Sequence, residues 1–274
     1  MTATHENTLK VPGATLFYRV RGTGPLVLIL PGGHGDADAA DALCERLVER
    51  YTVVTYDRRG QSRSPIDAAA GMPSIETHAA DAYKLLAALT SDPAFVFGSS
   101  FGGLIGFDLV LRHPESVRAL VAHEAPVWDL LSEAEAAGAR RGLEGMVRAF
   151  QEKGLLVAFQ RLADLTATDL TDREEGVALQ QPTPRIAANL KFFFNDEVRA
   201  VNRYRLDSAA LEAARARIVP AAAGSVGKAA LYKCAVALAE RLETTLKKFP
   251  GGHTGWLLRP KAFASALAEL LSDK

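Results

Sequence analysis

Short runs of consecutive apolar residues, each followed by a stretch with helical spacing, dominate the first half of the chain. Such runs predict strands buried on both faces, whereas apolar residues recurring every three or four positions predict helices packed on a sheet. The predicted strands are residues 8–11, 15–21, 26–30, 51–56, 95–97 and 117–122, and the predicted helices are residues 37–50 with Asp36 as N-cap, 74–89 with Ser74 as N-cap, and 101–112. This alternation predicts a mostly parallel, doubly wound α/β sheet.

The pattern changes after Pro126. Residues 127–206 show helical periods and no convincing strand, and sheet character returns at residues 218–223. A helix over residues 228–241, a strand over 245–249 and a last helix over 260–271 complete the prediction. We therefore expect an α/β core in two parts, residues 1–126 and 207–274, with a helical cap inserted over residues 127–206.

Composition narrows the function classes. The 274 residues carry a formal net charge of zero, so the basic footprint of a nucleic-acid-binding protein is missing. No apolar run approaches the roughly 18 residues of a membrane span, and the N-terminus lacks the pattern of a signal peptide. Cys44 and Cys234 are expected to be small buried residues in a reducing compartment. These features favour a cytoplasmic monomer or homodimer that acts on a small molecule and uses neither a metal ion nor an organic cofactor.

The stretch from Phe95 to Val110 carries the strongest chemical signal. The register Gly-x-Ser-x-Gly is met by Gly98, Ser100 and Gly102, between a predicted strand and a predicted helix. A sharp turn from strand into helix presents the serine side chain at the tip and places it at a helix N-terminus. Ser99 is the neighbouring candidate, but it occupies the variable position of the motif. The sequence therefore indicates Ser100 as a nucleophile.

Four local motifs, in this order, resemble those of the α/β-hydrolase fold superfamily. They are LILPGG (28–33), YDRRGQSRS (56–64), GSSFGG (98–103) and PGGH (250–253). Pro31 stands where the family usually has His, and Ser62 stands where it usually has a second Gly. The resemblance covers nearly the whole chain outside the cap and implies the fold more firmly than the function.

A serine nucleophile needs a base, and a histidine titrates in the right range. Of the six histidines, His5 lies in the tail, His113 precedes a helix-ending proline and His78 sits on an amphipathic helix. His253 follows the last strand in a glycine-rich loop, at the sheet edge where α/β proteins bind ligands. The resemblance also places the catalytic histidine there, so His253 is the expected base.

The third member of a triad is a carboxylate that orients the histidine. Most family members carry it after the strand that follows the cap, but here the next carboxylate downstream of that strand is Glu240, inside a helix. A minority of the superfamily carries the acid one strand earlier, and Glu124 matches that position. The alternatives are a dyad without an acid, or a cap carboxylate such as Asp196 or Glu197.

The oxyanion hole needs two backbone N–H groups. One is expected from Phe101, the residue after the nucleophile, and the resemblance assigns the other to Gly33, with His34 as the alternative donor. The His34 side chain either enters the pocket or belongs to a turn. Trp128 and the cluster Phe192–Phe194 either line an apolar pocket or form the cap core, and the second use is the commoner one.

Two further polar stretches are interpreted as structural. His123 is expected to face the helical layer rather than the site, because neighbouring strand residues alternate faces. Asp57, Arg58 and Arg59 resemble the family's structural turn, which pins two strands.

Three functions remain open. The first is a serine hydrolase that forms an acyl-enzyme on Ser100 from a small ester, thioester, lactone or activated amide and releases it to water. The second keeps Ser100 but changes the reaction to acyl transfer, perhydrolysis or carbon–carbon bond hydrolysis. The third is a non-catalytic binding module. An epoxide hydrolase or haloalkane dehalogenase is disfavoured, because those relatives carry Asp at the nucleophile position.

Overall fold

Eight strands form a single sheet in the computed structural model, which describes residues 4–33, 35–179, 181, 183–224, 227 and 229–274. The strands are β1 (Thr4–Val11), β2 (Ala14–Arg21), β3 (Leu26–Leu30), β4 (Thr52–Tyr56), β5 (Ala94–Ser99), β6 (Val117–His123), β7 (Ile218–Ala223) and β8 (Lys247–Phe249). Their order across the sheet is β1-β2-β4-β3-β5-β6-β7-β8. Strands β3 to β8 are parallel to one another, whereas β2 pairs antiparallel with both β4 and the edge strand β1. The predicted mostly parallel α/β sheet is confirmed.

The helices follow the strands in the predicted alternation. In the described part of the chain they are α1 (Asp41–Leu47), α2 (Ile75–Leu89), α3 (Phe101–Arg112), α4 (Glu133–Lys153), α5 (Leu155–Thr166), α6 (Pro184–Phe192), α7 (Val198–Arg203), α8 (Ser208–Ala214), α9 (Ala230–Arg241), α10 (Gly255–Leu258) and α11 (Pro260–Ser272). A π-helical turn, Phe193–Glu197, joins α6 to α7. Short 3₁₀ turns cover residues 114–116, 128–130 and 215–217.

Alternation along the strands builds two cores. In β3, Leu28 and Leu30 pack with α2 and α3 on one face of the sheet. Val27 and Ile29 pack with α1 and α11 on the other face. A strand covered on both faces must be apolar throughout, which explains the uninterrupted apolar run that the sequence shows.

One predicted helix start is wrong. We expected a helix from Ala37 with Asp36 as its N-cap, but α1 begins at Asp41, and Ala40 is the N-cap. The Asp36 carboxylate instead accepts from the Asp38 N–H and from the Ser62 hydroxyl. Asp36 lies outside α1 and makes these loop contacts instead. The spacing of apolar residues does not indicate such contacts. The Ser74 cap is confirmed, since Ser74 Oγ accepts from Thr77 N at 3.2 Å.

The predicted cap region is helical where the structure describes it. Between Val127 and Leu206 the described elements are α4 to α7 with the π-helical turn and one 3₁₀ turn. Its boundaries stay a prediction. The predicted helix start at Lys228 falls outside the described residues. Across the described chain, no helix combines the length and the apolarity that crossing a bilayer demands.

The strand order locates the site. The chain moves from β3 to β4 in one direction and then returns to place β5 on the opposite side of β3. Such a reversal opens a crevice at the carboxyl ends of the two strands, and open α/β sheets bind their ligands there. The loop after β3 carries Gly33, and the turn after β5 carries Ser100.

Candidate active site

Ser100 lies at the tip of a strained turn between β5 and α3. Its backbone has φ 55° and ψ −121°, a conformation that residues other than glycine rarely adopt. The Ser100 N–H donates to the His123 carbonyl at 2.9 Å, which ties the turn to the end of β6. The side chain is half-buried. Ser99 instead points away into the interior, with its hydroxyl 3.3 Å from His123 Nδ1.

Close packing of backbone around the turn requires glycine at two positions. A Cβ on Gly98 would lie 2.5 Å from the Gly102 carbonyl oxygen. A Cβ on Gly102 would lie 2.1 Å from the Leu30 carbonyl oxygen at the end of β3. Both contacts are with backbone, so no side-chain movement relieves them. The spacing of the motif therefore follows from how tightly α3 sits on β3 and β5.

Glu124 and His253 are joined in the arrangement that the sequence analysis expected. Nδ1 of His253 lies 2.5 Å from Oε2 of Glu124, and Oε1 of Glu124 accepts from the Ala223 N–H at 3.1 Å. Both side chains are buried. Glu124 has a left-handed backbone, φ 49°, where the chain turns out of β6, and its own N–H donates to the Ala221 carbonyl.

The charge state of the pair follows from its surroundings. Burial raises the pKa of the Glu124 carboxyl, but the His253 hydrogen bond, the two histidine rings and the Ala223 N–H outweigh it and lower the pKa to about 2. The carboxylate is therefore ionised at neutral pH and can only accept hydrogen bonds. Opposite an acceptor, Nδ1 of His253 carries a proton, and Nε2 is the ring nitrogen that faces away from Glu124.

Ser100 and His253 both lie at the carboxyl edge of the sheet, but their side chains are not hydrogen-bonded to each other. Within the described part of the chain, the side-chain hydrogen bonds of the site join His253 to Glu124 and include none between Ser100 Oγ and His253. A nucleophile–base bond of this kind is often long in a free enzyme and tightens with substrate. The loops after β7 and β8 are held together by Gly224 N, which donates to the Gly251 carbonyl at 3.0 Å.

Of the two expected oxyanion donors, Phe101 follows Ser100 directly, and Gly33 belongs to a loop that passes beside it. Phe101 is the first residue of α3, where the N–H groups have no acceptor within the helix. The loop after β3 passes beside the serine, since a Cβ on Gly32 would lie 3.8 Å from Ser100 Cβ. Gly33 follows directly. His34, the alternative donor and a predicted pocket residue, lies outside the described residues.

The aromatic residues of the predicted cap divide between two uses. Phe193 packs on Gly33 and Phe101, because a Cβ on Gly33 would lie 2.3 Å from its ring and its ring meets Phe101 edge-on at 5.5 Å. Phe194 is fully buried and stacks on Phe150, as a cap-core residue does. Trp128 is also buried, and its indole N–H donates to Asn202 at 3.1 Å. The structure thus gives Trp128 the contacts of a packing residue.

His123 faces the helical layer, as expected. Its ring packs against Phe97, Phe249 and Phe263. Burial lowers its pKa to about 4, so His123 is neutral at physiological pH. The other histidine of this edge is His253, whose ring centre lies 6.2 Å away.

Sequence reasoning missed a buried polar cluster beside the site. The sequence offers Glu197 only as an alternative triad acid, but its side chain bonds to Arg58 and Gln61 instead of His253. The preceding residues form a π-helical turn, which shifts the faces of the helix relative to a 3.6-residue period. For that reason the apolar spacing around Glu197 could not show that its side chain points into the protein.

Comparisons with known proteins agree with this architecture. The family model described as the alpha/beta hydrolase fold matches residues 25–205. An uncharacterised hydrolase of Bacillus subtilis, YraK, is 38% identical over 98% of this chain and 97% of its own. The candidate carbamate hydrolase RutD of Azorhizobium caulinodans is 37% identical over 107 residues, which are 39% of this chain and 40% of that protein. The solved structure of a candidate epoxide hydrolase from Pseudomonas aeruginosa has a TM-score of 0.73 at 19% identity and covers 99% of this chain and 96% of that one. The chain therefore belongs to the α/β-hydrolase fold family, and it is a hydrolase of that fold.

Proposed function

We propose that the protein hydrolyses a small-molecule carboxylic ester, thioester, lactone or activated amide through an acyl-enzyme on Ser100. The observation that carries the proposal is the ionised Glu124 carboxylate on Nδ1 of His253, at the sheet edge where Ser100 ends its strained turn. A carboxylate there fixes the histidine tautomer that can take a serine proton.

The proposed reaction has two halves. In the first, Ser100 Oγ bonds to the carbonyl carbon while Nε2 of His253 takes its proton, and the carbonyl oxygen becomes an oxyanion. The N–H groups of Phe101 and Gly33 stabilise that charge. The bond to the leaving group then breaks, and His253 returns the proton to it. In the second half, water loses a proton to His253 and attacks the acyl carbon; the bond to Ser100 Oγ then breaks, His253 returns the proton to Oγ, and the acid leaves.

The nucleophile decides against one activity suggested by structural likeness. The epoxide hydrolases and haloalkane dehalogenases of this superfamily carry Asp at the nucleophile position, whereas this chain has Ser100. The similarity to the Pseudomonas aeruginosa structure, at 19% identity, supports the fold alone. Acyl transfer, perhydrolysis and carbon–carbon bond hydrolysis use the same three residues and remain alternatives.

A fluorophosphonate probe tests the nucleophile. We expect the wild-type protein and Ser99→Ala to be labelled at Ser100, and Ser100→Ala to lose labelling together with ester hydrolysis. Ser99→Ala is a matched control because it removes a hydroxyl one residue away that faces His123. Labelling that survives Ser100→Ala, or that maps to Ser99, would contradict the assignment.

A substrate panel separates the remaining functions. p-Nitrophenyl esters of increasing chain length, a thioester, a lactone and a carbamate, the last included because of the similarity to RutD, should show which acyl group is hydrolysed. Formation of an ester from an added alcohol would identify acyl transfer. No turnover of any member, with no probe labelling, would contradict the proposed function. We also predict that neither a metal ion nor an organic cofactor takes part, so EDTA should leave activity unchanged.

A further inference from the structure

Arg58 holds the loop after β3 through hydrogen bonds to its carbonyl groups. Its side chain is almost fully buried, and its guanidinium donates to successive carbonyls of that loop. Nη1 donates to Pro31 O at 3.3 Å, Gly32 O at 3.0 Å and Gly35 O at 3.4 Å, and Nη2 donates to Gly33 O at 2.5 Å. A planar fork of donors suits this task, because one side chain can fix several peptide groups at once.

The cap supplies the counter-charge. Glu197, at the end of the π-helical turn, is fully buried and lies 3.2 Å from Arg58 Nε and 3.3 Å from Nη2. Burial raises the pKa of Glu197, but the Arg58 charge and the nearby His78 outweigh it and lower the pKa to about 2. The carboxylate is thus ionised. His78 Nε2 is 3.1 Å from Glu197 Oε1, although too far off line for a straight hydrogen bond.

Gln61 is a second link between Glu197 and the loop after β3. Its Nε2 donates to Glu197 Oε2 at 2.7 Å and to Gly33 O at 3.0 Å. The Gly33 carbonyl therefore accepts two donors, Arg58 and Gln61, and both of them are hydrogen-bonded to Glu197. Phe193, in the same π-helical turn as Glu197, also packs closely on Gly33.

Peptide planarity connects the Arg58–Gly32 contact to the oxyanion hole, whereas the hydrogen bonds to the Gly33 carbonyl restrain the next peptide unit of the loop. The Gly32 carbonyl and the Gly33 N–H are the two ends of one rigid planar unit, so fixing the carbonyl fixes the direction of the N–H. A hydrogen bond from a cation to that carbonyl also polarises the unit and strengthens its N–H as a donor. Arg58 thereby aims the Gly33 N–H, and Glu197 holds Arg58 in place.

We propose that the cap residue Glu197 is a positioning residue for the oxyanion hole, acting through Arg58 and Gln61, so that the hole is complete only when the cap is seated on the loop after β3. The proposal rests on the proposed function, because it needs Gly33 as an oxyanion donor. It assigns the cap a part in the chemical step in addition to any part in substrate choice.

The test compares two buried carboxylates that pair with adjacent arginines. Glu197→Gln and Gln61→Leu disturb the cluster, whereas Asp81→Asn is the matched control. Asp81 is buried, and both of its carboxylate oxygens accept hydrogen bonds from Arg59, at 2.5 and 2.6 Å. The Arg59 guanidinium also donates to Pro12 O, which lies outside the loop after β3. Both carboxylate variants should lower the melting temperature, so stability alone does not distinguish them.

Catalysis and binding of a tetrahedral analogue should distinguish them. We expect Glu197→Gln to lower kcat by about 10–100-fold with KM changed less than about threefold, since removal of a whole oxyanion donor costs about 10²–10³ in kcat. Affinity for a trifluoromethyl ketone that forms a hemiketal with Ser100 should fall in proportion to kcat/KM. Gln61→Leu, which keeps the ion pair, should lower kcat and that affinity by about threefold to tenfold. Asp81→Asn should keep both within about twofold of wild type.

Failure of this proposal is distinguishable from failure of the proposed function. Absence of ester hydrolysis and of probe labelling at Ser100 in the wild-type protein would remove the function itself. With an active wild type, an unchanged kcat and analogue affinity in Glu197→Gln would overturn the positioning role, and so would an equal loss in Asp81→Asn. Should Glu197→Gln fail to fold, Gln61→Leu decides alone, and wild-type behaviour in it overturns the proposal.

Discussion

Nδ1 of His253 and Oε2 of Glu124 lie 2.5 Å apart, although the two residues are separated by 129 positions in the chain. The carboxylate reaches the ring from the end of β6, one strand nearer to Ser100 than the strand after the cap. Its second oxygen is held by the Ala223 N–H, the last residue of β7. The strand that carries no carboxylate of its own therefore positions the one that its neighbour supplies.

Glu124→Gln tests the carboxylate directly. The amide keeps the shape but removes the charge and can present an N–H to Nδ1 of His253, which selects the wrong tautomer. We expect kcat to fall by about 10²–10⁴ while the fold is kept, as measured by steady-state kinetics and circular dichroism. Glu124→Asp keeps the charge on a shorter side chain and should retain more activity than Glu124→Gln. Near-normal activity of Glu124→Gln would leave a dyad as the better account.

Much of the fold could be predicted because strong patterns matched simple physics. The uninterrupted apolar run Leu26–Leu30 became a strand covered on both faces, and Ser74 capped α2 as its side chain suggested. Gly98 and Gly102 indicated the sharp turn, and the structure shows why they are glycines: backbone atoms leave no room there for a Cβ. In each case the residue type reports its own local environment.

The cluster around Glu197 could not be predicted for the opposite reason. A buried carboxylate in a helix looks like a solvated one unless its partners are known, and Arg58 lies 139 residues away. Ser62 shows the same limit. It has a left-handed backbone, φ 46°, where the family usually has Gly, and its N–H donates to the cap residue Asn189 at 2.9 Å. The sequence showed the departure from the family pattern but not the contact that accompanies it.

Gly102, in the turn at Ser100, can be tested against a glycine in open space. A Cβ on Gly102 would meet the Leu30 carbonyl oxygen at 2.1 Å, so Gly102→Ala should lower the free energy of unfolding by about 3 kcal/mol or more. A Cβ on Gly138, exposed within α4, would meet nothing within 4 Å. Gly138→Ala should therefore raise the free energy of unfolding by about 0.5–1 kcal/mol. Urea unfolding measures both, and equal effects of the two variants would contradict this account.

The two cysteines should be unreactive in the native protein. Cys44 and Cys234 are free and buried, and burial raises the pKa of each thiol to about 12. A thiol-specific reagent such as DTNB needs an accessible thiolate. We expect slow or no reaction at pH 8 and complete reaction of both thiols in urea. Rapid modification of the folded protein would show that one of these positions opens to solvent.

His123 should make the stability depend on pH. Burial lowers its pKa from 6.5 to about 4, so the folded protein keeps His123 neutral while the unfolded chain protonates it. A group whose pKa is depressed by folding contributes its full stability above the unfolded value, and loses it as the pH falls through the folded value. The loss should therefore run from about pH 6.5 down to pH 4, and a shift of this size corresponds to about 3 kcal/mol at most.

His123→Leu removes that titration while keeping an apolar side chain among Phe97, Phe249 and Phe263. Urea unfolding at half-unit steps from pH 8 to pH 4.5 should show the wild-type protein losing stability below about pH 6.5 more steeply than the variant. Above pH 7 the two curves should run parallel, offset by the Ser99–His123 contact that the variant lacks. The difference in slope is the quantity that decides, because the offset alone reports packing. Parallel curves over the whole range would mean that His123 gains its proton without cost, and that this histidine is not held neutral by its aromatic surroundings.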